Sequence, residues 1–266
     1  MNKLPLPGTI WLASDIHLGG HIPETRQAFY EFLARARQEA DTLILAGDIF
    51  DFWAGDDIAL KSPEPWLQEA LQHLAQTAAH IPLYLMHGNR DFLLGKKIAR
   101  HLGATLLEDT VILATDAGLV RLSHGDEYCT DDLAFQRFRK IVHNPFIQAV
   151  FLALPRKLRQ SIANCARRKS QASHQYKNDS IMDVSAGTIE NIFRQDRDIH
   201  TLVHGHTHKP AHHEIMLDGK RCHRWVLPDW EFDHGPNRAG YIEIKKSGTF
   251  LHRHEGTLNT SILKNN

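Results

Sequence analysis

TLILAGD, Thr42 to Asp48, is a short, continuously apolar run that stops on a glycine and an acid. Such a run, bounded by turn residues, reads as a buried strand. The same design recurs along the chain. Thr9 to Ala13 is followed by Ser14-Asp15-Ile16-His17, and Pro82 to Met86 by His87-Gly88-Asn89-Arg90-Asp91. Leu119 to Ser123 runs into His124-Gly125-Asp126, and His200 to Val203 into His204-Gly205-His206-Thr207-His208. Between the early strands the spacing predicts helices over Pro23–Glu39 and Trp66–His80. Later come short alternating strands at His213–Leu217, Arg224–Leu227, Ala239–Ile244 and Thr249–Arg253, with a polar tail from Gly256. Strand–helix alternation that gives way to hairpins predicts an α/β fold, a central mixed β-sandwich flanked by helices. Side chains at the carboxyl ends of such strands converge on one crevice, so clusters far apart in sequence are expected to form one site.

With 266 residues, 42% of them apolar and 23% charged, the chain is long enough for a substantial core and reads as neither disordered nor fibrous. Lys plus Arg and Asp plus Glu number 31 each, so overall charge gives no argument for a nucleic-acid partner. The balance is uneven, because Leu133 to Asn178 holds ten basic residues and no acid. No apolar run approaches the roughly 18 residues of a membrane span. The N-terminus shows no secretion signal. Cys129, Cys165 and Cys222 form no paired pattern, which fits a reducing cytosol. The 19 histidines suggest metal ligation, and position decides which of them serve it.

The groups at the strand ends are Asp15, His17, Asp48, Asn89, His124, His206 and His208. Two carboxylates, one amide and four imidazoles make an inventory for two divalent cations about 3.5–4 Å apart, a pair able to clamp the attacking and leaving oxygens of a phosphoryl substrate. Singly, each residue has a plainer reading: Asp15 and Asp48 as helix N-caps, His17 or His124 as a hydrogen-bonded histidine. Their ordered recurrence, each after a strand, favours the metal site. His204 shares a cluster with His206 and His208 and is given a supporting role.

DIH at Asp15 to His17, GDIFDFW at Gly47 to Trp53, GNRD at Gly88 to Asp91, SHGD at Ser123 to Asp126 and GHTH at Gly205 to His208 resemble the calcineurin-like metallophosphoesterases. The likeness extends over residues 9–254. It implies one ion held by Asp15, His17, Asp48 and His208 and another by Asp48, Asn89, His124 and His206, with Asp48 bridging. It further implies that a water activated by the two ions attacks phosphorus, with Asp48, Asn89, Arg90 and His206 carrying catalysis. Residues 1–254 would form this domain, with a helical insertion over about 131–180 and a polar tail at 255–266.

Arg90 narrows the chemistry. Many members of the superfamily carry a histidine after this asparagine that protonates the leaving oxygen, which arginine cannot do. A phosphate monoester leaving from a diphosphate needs no such acid, so a bidentate clamp in its place favours diphosphate hydrolysis over a pairing of Arg90 with Asp91. In the insertion, Ile147, Phe151, Leu154, Leu158 and Ile162 recur at helical spacing, with Arg156, Lys157, Arg159, Arg167, Arg168 and Lys169 around them. Pro155 is expected to split the stretch into two helices. A basic amphipathic pair suits an anionic membrane surface.

GNRD, FDFW, the basic insertion and IMDV at Ile181 to Val184 together resemble the UDP-2,3-diacylglucosamine diphosphatases of lipid A biosynthesis. That family cleaves a membrane-embedded UDP-sugar lipid with Mn²⁺, releasing UMP and 2,3-diacylglucosamine 1-phosphate. By this resemblance the substrate contacts are Asn89, Arg90, Asp132, Ser170, His174, Lys177 and His206, with His174 standing where relatives carry asparagine. The expected setting is the cytoplasmic face of the inner membrane, the protein peripheral and monomeric, with no nucleic-acid partner. Pro228-Asp229-Trp230, where relatives carry glycine before Asp-Trp, is read as loop variation remote from the ligands. A soluble phosphodiesterase or nuclease on the same centre is the enzymatic rival, disfavoured by Arg90 and the insertion. A non-catalytic scaffold would be free to lose a ligand, and none of the seven is missing.

Overall fold

The computed structural model describes residues 3–162 and 183–255. Its strands in chain order are β1 (Lys3–Leu6), β2 (Ile10–Ala13), β3 (Thr42–Ala46), β4 (Leu83–Met86), β5 (Thr105–Leu106), β6 (Thr110–Thr115), β7 (Gly118–Ser123), β8 (Thr201–His204), β9 (Ala211–Leu217), β10 (Lys220–Val226), β11 (Arg238–Lys245) and β12 (Gly248–Glu255). They form two six-stranded sheets, β1-β6-β7-β8-β10-β9 and β12-β11-β2-β3-β4-β5. In the second sheet β2 to β5 are mutually parallel, and β11 joins β2 antiparallel. The first is mixed, with β7, β8 and β10 parallel neighbours and antiparallel hairpins at β6–β7 and β9–β10.

Side-chain alternation explains the layers. Ile10, Leu12, Ile44 and Ala46 point between the sheets and pack with Leu113, Val120, Leu122 and Val203 of the facing sheet. Trp11, Ala13, Leu43 and Leu45 point the other way, onto Phe29, Phe32 and Leu33 of the helix Pro23–Glu39 and Leu67, Leu71 and Leu74 of the helix Pro65–Ala78. Both faces of β2 and β3 are therefore buried, and both strands read as continuous apolar runs. On the far side the helix Ala186–Gln195 covers the first sheet through Ile189, Ile192 and Phe193. The result is a mixed sandwich flanked by helices.

The structure adds elements that the sequence reading left as loop. β1 carries Pro5 and forms a sheet edge, where a missing N–H is tolerated. β6 turns back through Asp116 and Ala117 into β7. Two short helices, Asp56–Lys61 and Lys96–Leu102, flank the site loops.

The Ile147–Ile162 stretch is split at Pro155 as expected, into Pro145–Ala153 and a second helix described over 156–162 that the proline opens, and a further helix, Leu133–Val142, precedes them. Large apolar side chains lie exposed on all three, among them Phe138, Ile141, Phe146, Val150, Leu158 and Ile162. Arg159, expected among the basic residues that meet an anionic membrane surface, is instead a buried anchor. Its guanidinium donates to both Asp57 oxygens at 2.6 and 2.9 Å and to the Ala54 carbonyl, tying the insertion to the loop that follows Asp48.

Candidate metal centre

The five clusters meet because they leave the carboxyl ends of β2, β3, β4, β7 and β8 at one end of the sandwich. The loops after β2 and β3 stay laced together, the Asp15 N–H donating to the Gly47 carbonyl at 3.1 Å and the His17 N–H to the Asp48 carbonyl at 2.9 Å. The backbone there is strained. Among the described residues, five of the six non-glycine residues with positive φ are candidate ligands: Asp15 (56°), His17 (53°), Asp48 (49°), His206 (67°) and His208 (54°). Residues held in this sparse region mark sites where the surroundings over-determine the geometry. Close approach also demands glycine, since a Cβ on Gly88 would sit 2.1 Å from Asp48 Oδ1 and one on Gly205 2.3 Å from Asp15 Oδ2.

The seven residues form a ring of near contacts, six of them between side chains and the last through a backbone N–H. Asp15 Oδ1 lies 3.3 Å from His208 Nε2, His208 Nε2 3.4 Å from His17 Nε2, and His17 Nδ1 3.8 Å from Asp48 Oδ2. Asp48 Oδ2 lies 3.7 Å from His124 Nε2, which is 3.1 Å from Asn89 Oδ1, itself 2.8 Å from His206 Nδ1. The His206 backbone N–H closes the ring by donating to Asp15 Oδ2 at 3.0 Å. Asp15, His17 and His208 each place a donor atom within 4.8 Å of the others, as do Asp15, Asp48 and His124.

The electrostatics call for cations. Burial pushes the Asp48 carboxyl up to about 7, with His124 pulling it down and Asp91 and Asp15 adding to the rise. Burial opposes charge on His124, yet Asp48, Asp15 and Asp126 push it up to about 9. Burial, reinforced by His124, takes His206 down to about 3, and burial together with His208 holds His17 well below its ordinary value. Asp15 stays below the usual carboxylate range because His208, His124 and His17 outweigh its burial. His17 and His206 are thus kept neutral and ready to ligate, whereas His124 and His208, whose pKa values the neighbouring carboxylates raise, hold protons at the places where divalent ions would supply the positive charge. His17 Nδ1 is buried with no hydrogen-bond partner. The residues present therefore fit two divalent ions.

Several supporting groups escaped the sequence reading. Asp91, fully buried, accepts N–H groups from Asp48 (3.2 Å), Ile49 (2.8 Å), Phe50 (3.3 Å) and Gly88 (2.8 Å), so it shapes the Asp48 loop and is not Arg90's partner. Asp229 overturns the reading of Pro228-Asp229-Trp230 as remote: its Oδ2 lies 3.5 Å from His208 Nδ1, and the Trp230 N–H donates to the Asp15 carbonyl at 3.1 Å. Arg238 holds Asp229 in place at 2.6 and 2.9 Å. A carboxylate behind a ligating imidazole fixes its tautomer and orientation. Asp229→Ala is accordingly expected to weaken metal binding about 10–100-fold by equilibrium titration, with the far-UV circular dichroism unchanged.

Phe135 of the first insertion helix stacks on His206 at 5.8 Å, and Arg139 of that helix donates to Asp126 Oδ2 at 2.6 Å. Asp132 caps the helix, accepting from the Phe135 N–H at 3.0 Å. Arg90 donates its backbone N–H to Asp48 Oδ1 at 2.7 Å, and the residue lines a cavity of about 210 Å³ with His17, Asp51, His208, Asp229 and His234. His204 stands outside the ring, buried against Tyr128, with Arg224 3.3 Å from its Nε2. Ser170, His174 and Lys177 lie outside the described residues.

Comparison with known proteins agrees with this architecture. The family described as calcineurin-like phosphoesterases matches residues 8–210. The UDP-2,3-diacylglucosamine hydrolase of Bordetella parapertussis is 51% identical over 249 residues, 93% of this chain and 96% of that protein. Its namesakes from Proteus mirabilis and Chromohalobacter salexigens are 44% and 43% identical, covering 84% and 89% of this chain and 90% and 93% of theirs. Identity of this order over nearly the full length of both partners leaves one conclusion: the chain belongs to the calcineurin-like phosphoesterases and, within them, to the UDP-2,3-diacylglucosamine hydrolase family.

Proposed function

We propose that the protein hydrolyses the diphosphate bond of UDP-2,3-diacylglucosamine to UMP and 2,3-diacylglucosamine 1-phosphate, a step of lipid A biosynthesis. The observation that carries this reading is the ring of seven metal-competent residues in a chain 51% identical to a hydrolase named for that substrate. Asp15, His17, Asp48 and His208 would hold one divalent ion and Asp48, Asn89, His124 and His206 the other. When bound, the two ions supply Lewis acidity and a lowered water pKa. The nitrogen, carboxylate and carboxamide donors admit Mn²⁺, Fe²⁺ or Zn²⁺, and the family resemblance points to Mn²⁺ among them.

The chain's own residues do the rest. Arg90, one of the residues lining the cavity with His17 and His208, would offer a planar fork to the diphosphate. The leaving phosphate monoester is a weak base and departs without a protonating side chain, so arginine in place of an acid costs nothing there. Phe135 and Arg139 hold the insertion against the His206 side of the centre, and the exposed apolar side chains on it, such as Phe138 and Ile141, support reading it as the surface that meets the acyl chains. Arg137, Lys140 and Lys157 are exposed on the same helices and suit an anionic bilayer. No described helix is long and apolar enough to cross a membrane, and the protein is read as peripheral on the cytoplasmic face of the inner membrane. The protein is read as a monomer.

Arg90→Ala tests the clamp. Hydrolysis of the UDP-lipid is expected to fall about 100-fold or more, the effect of losing a charged group that positions substrate, while metal content stays at two ions per chain. Unchanged turnover would remove the role, and cleavage of bis(p-nitrophenyl) phosphate in preference to the lipid would favour the phosphodiesterase reading.

A further inference from the structure

Among the described residues, one more group of metal-competent side chains stands together outside the centre, on the edge hairpin β9–β10. His212 and Glu214 project from the same face of β9, two residues apart, and the register sets His223 of β10 directly opposite Glu214. His212 Nε2 is 2.9 Å from His223 Nδ1, and a Glu214 carboxylate oxygen lies within 4.8 Å of both. Trp225, opposite His212 in the same register, stacks on its ring at 3.8 Å and 9° and fixes the imidazole plane. Burial and the neighbouring His223 lower the His212 pKa, which keeps its lone pair available at neutral pH. Arg221 Nε, 4.0 Å from a Glu214 oxygen, competes for that carboxylate.

We propose that His212, Glu214 and His223 form a second metal site, separate from the catalytic centre, that takes one borderline transition ion of the Zn²⁺ class, with water completing the shell. Two imidazoles and one carboxylate are the donor set of open zinc sites and a poor match for Mg²⁺ or Ca²⁺, which want oxygen. Bonds of about 2.0–2.2 Å place tetrahedral donors roughly 3.3–3.5 Å apart, so the two rings need only open slightly while Glu214 swings in by about an ångström. The site spans two strands, so the ion would pin the edge strand β9 to its neighbour.

The test compares the full-length protein with His212→Ala/His223→Ala, both carrying an intact catalytic centre. In equilibrium dialysis against micromolar Zn²⁺ the parent is expected to bind one ion per chain more than the double variant. Glu214→Gln should weaken that extra ion about tenfold and Arg221→Ala strengthen it several-fold, a pair of opposite signs that misfolding would not produce. Cu²⁺ should quench Trp225, and the saturable part of that quenching should vanish in Trp225→Phe and in the double variant alike. Equal stoichiometry and equal affinity in the parent and the double variant, with matching circular dichroism, would overturn the proposal.

Discussion

Asp48→Asn is expected to abolish activity while leaving the fold in place. The carboxylate is 2% exposed, its Oδ2 lies 3.8 Å from His17 Nδ1 and 3.7 Å from His124 Nε2, and its Oδ1 accepts the Arg90 N–H. It faces an imidazole of each half of the ring through a single oxygen, Oδ2. Asparagine preserves the shape, tolerates the φ of 49° and can still accept from Arg90, so the loop survives. What it lacks is the negative charge that two cations would share. Turnover should fall at least about 1,000-fold, roughly 4 kcal/mol of barrier, and elemental analysis should find at most one ion per chain. Two ions and near-normal turnover would show that Asp48 is no bridge.

Asp91→Ala should be the most destabilising single change near the site. Four backbone N–H groups converge on this carboxylate in the buried interior, from Asp48, Ile49, Phe50 and Gly88. Each buried donor left without an acceptor costs about 1–3 kcal/mol, and relaxation makes the sum less than additive. A loss of about 4–5 kcal/mol is expected, which for a chain of this size lowers Tm by about 10 °C or more. Metal affinity should fall with it, because the Asp48 loop would lose its template. Asp91→Asn keeps one acceptor oxygen but turns an NH₂ toward backbone donors, so it should fall between the parent and the alanine variant. A Tm within 2 °C or so of the parent for Asp91→Ala would contradict the cradle, given the size of the orphaned-donor cost.

What the sequence disclosed and what it hid follow from the range of the interactions. Thr42–Ala46 and Pro23–Glu39 take the bounds their patterns predict, because burial on both faces and a proline at the helix start are written locally. The seven ring residues sit where strands run out, so motif position alone groups them. Asp91, by contrast, looks like any polar loop residue; its four donors lie in its own turn and in the loop after a different strand. Asp229 meets His208 only because β10 runs parallel to β8 and so ends beside it, a pairing that no local pattern announces. Arg159 reads as one more charge in a basic stretch, and only the packing of the insertion on the Asp57 loop buries it. Short elements such as β1, with its internal proline, fall below what periodicity can register.

The most direct test is hydrolysis of UDP-2,3-diacylglucosamine by metal-stripped protein, with and without added Mn²⁺, in ¹⁸O water, weighing both products. The expected result is no turnover without metal and, with it, release of UMP and 2,3-diacylglucosamine 1-phosphate with a single ¹⁸O in one of them, which also names the phosphorus attacked. Turnover that is indifferent to metal, or no cleavage of this lipid alongside good cleavage of simple phosphodiesters, would contradict the account.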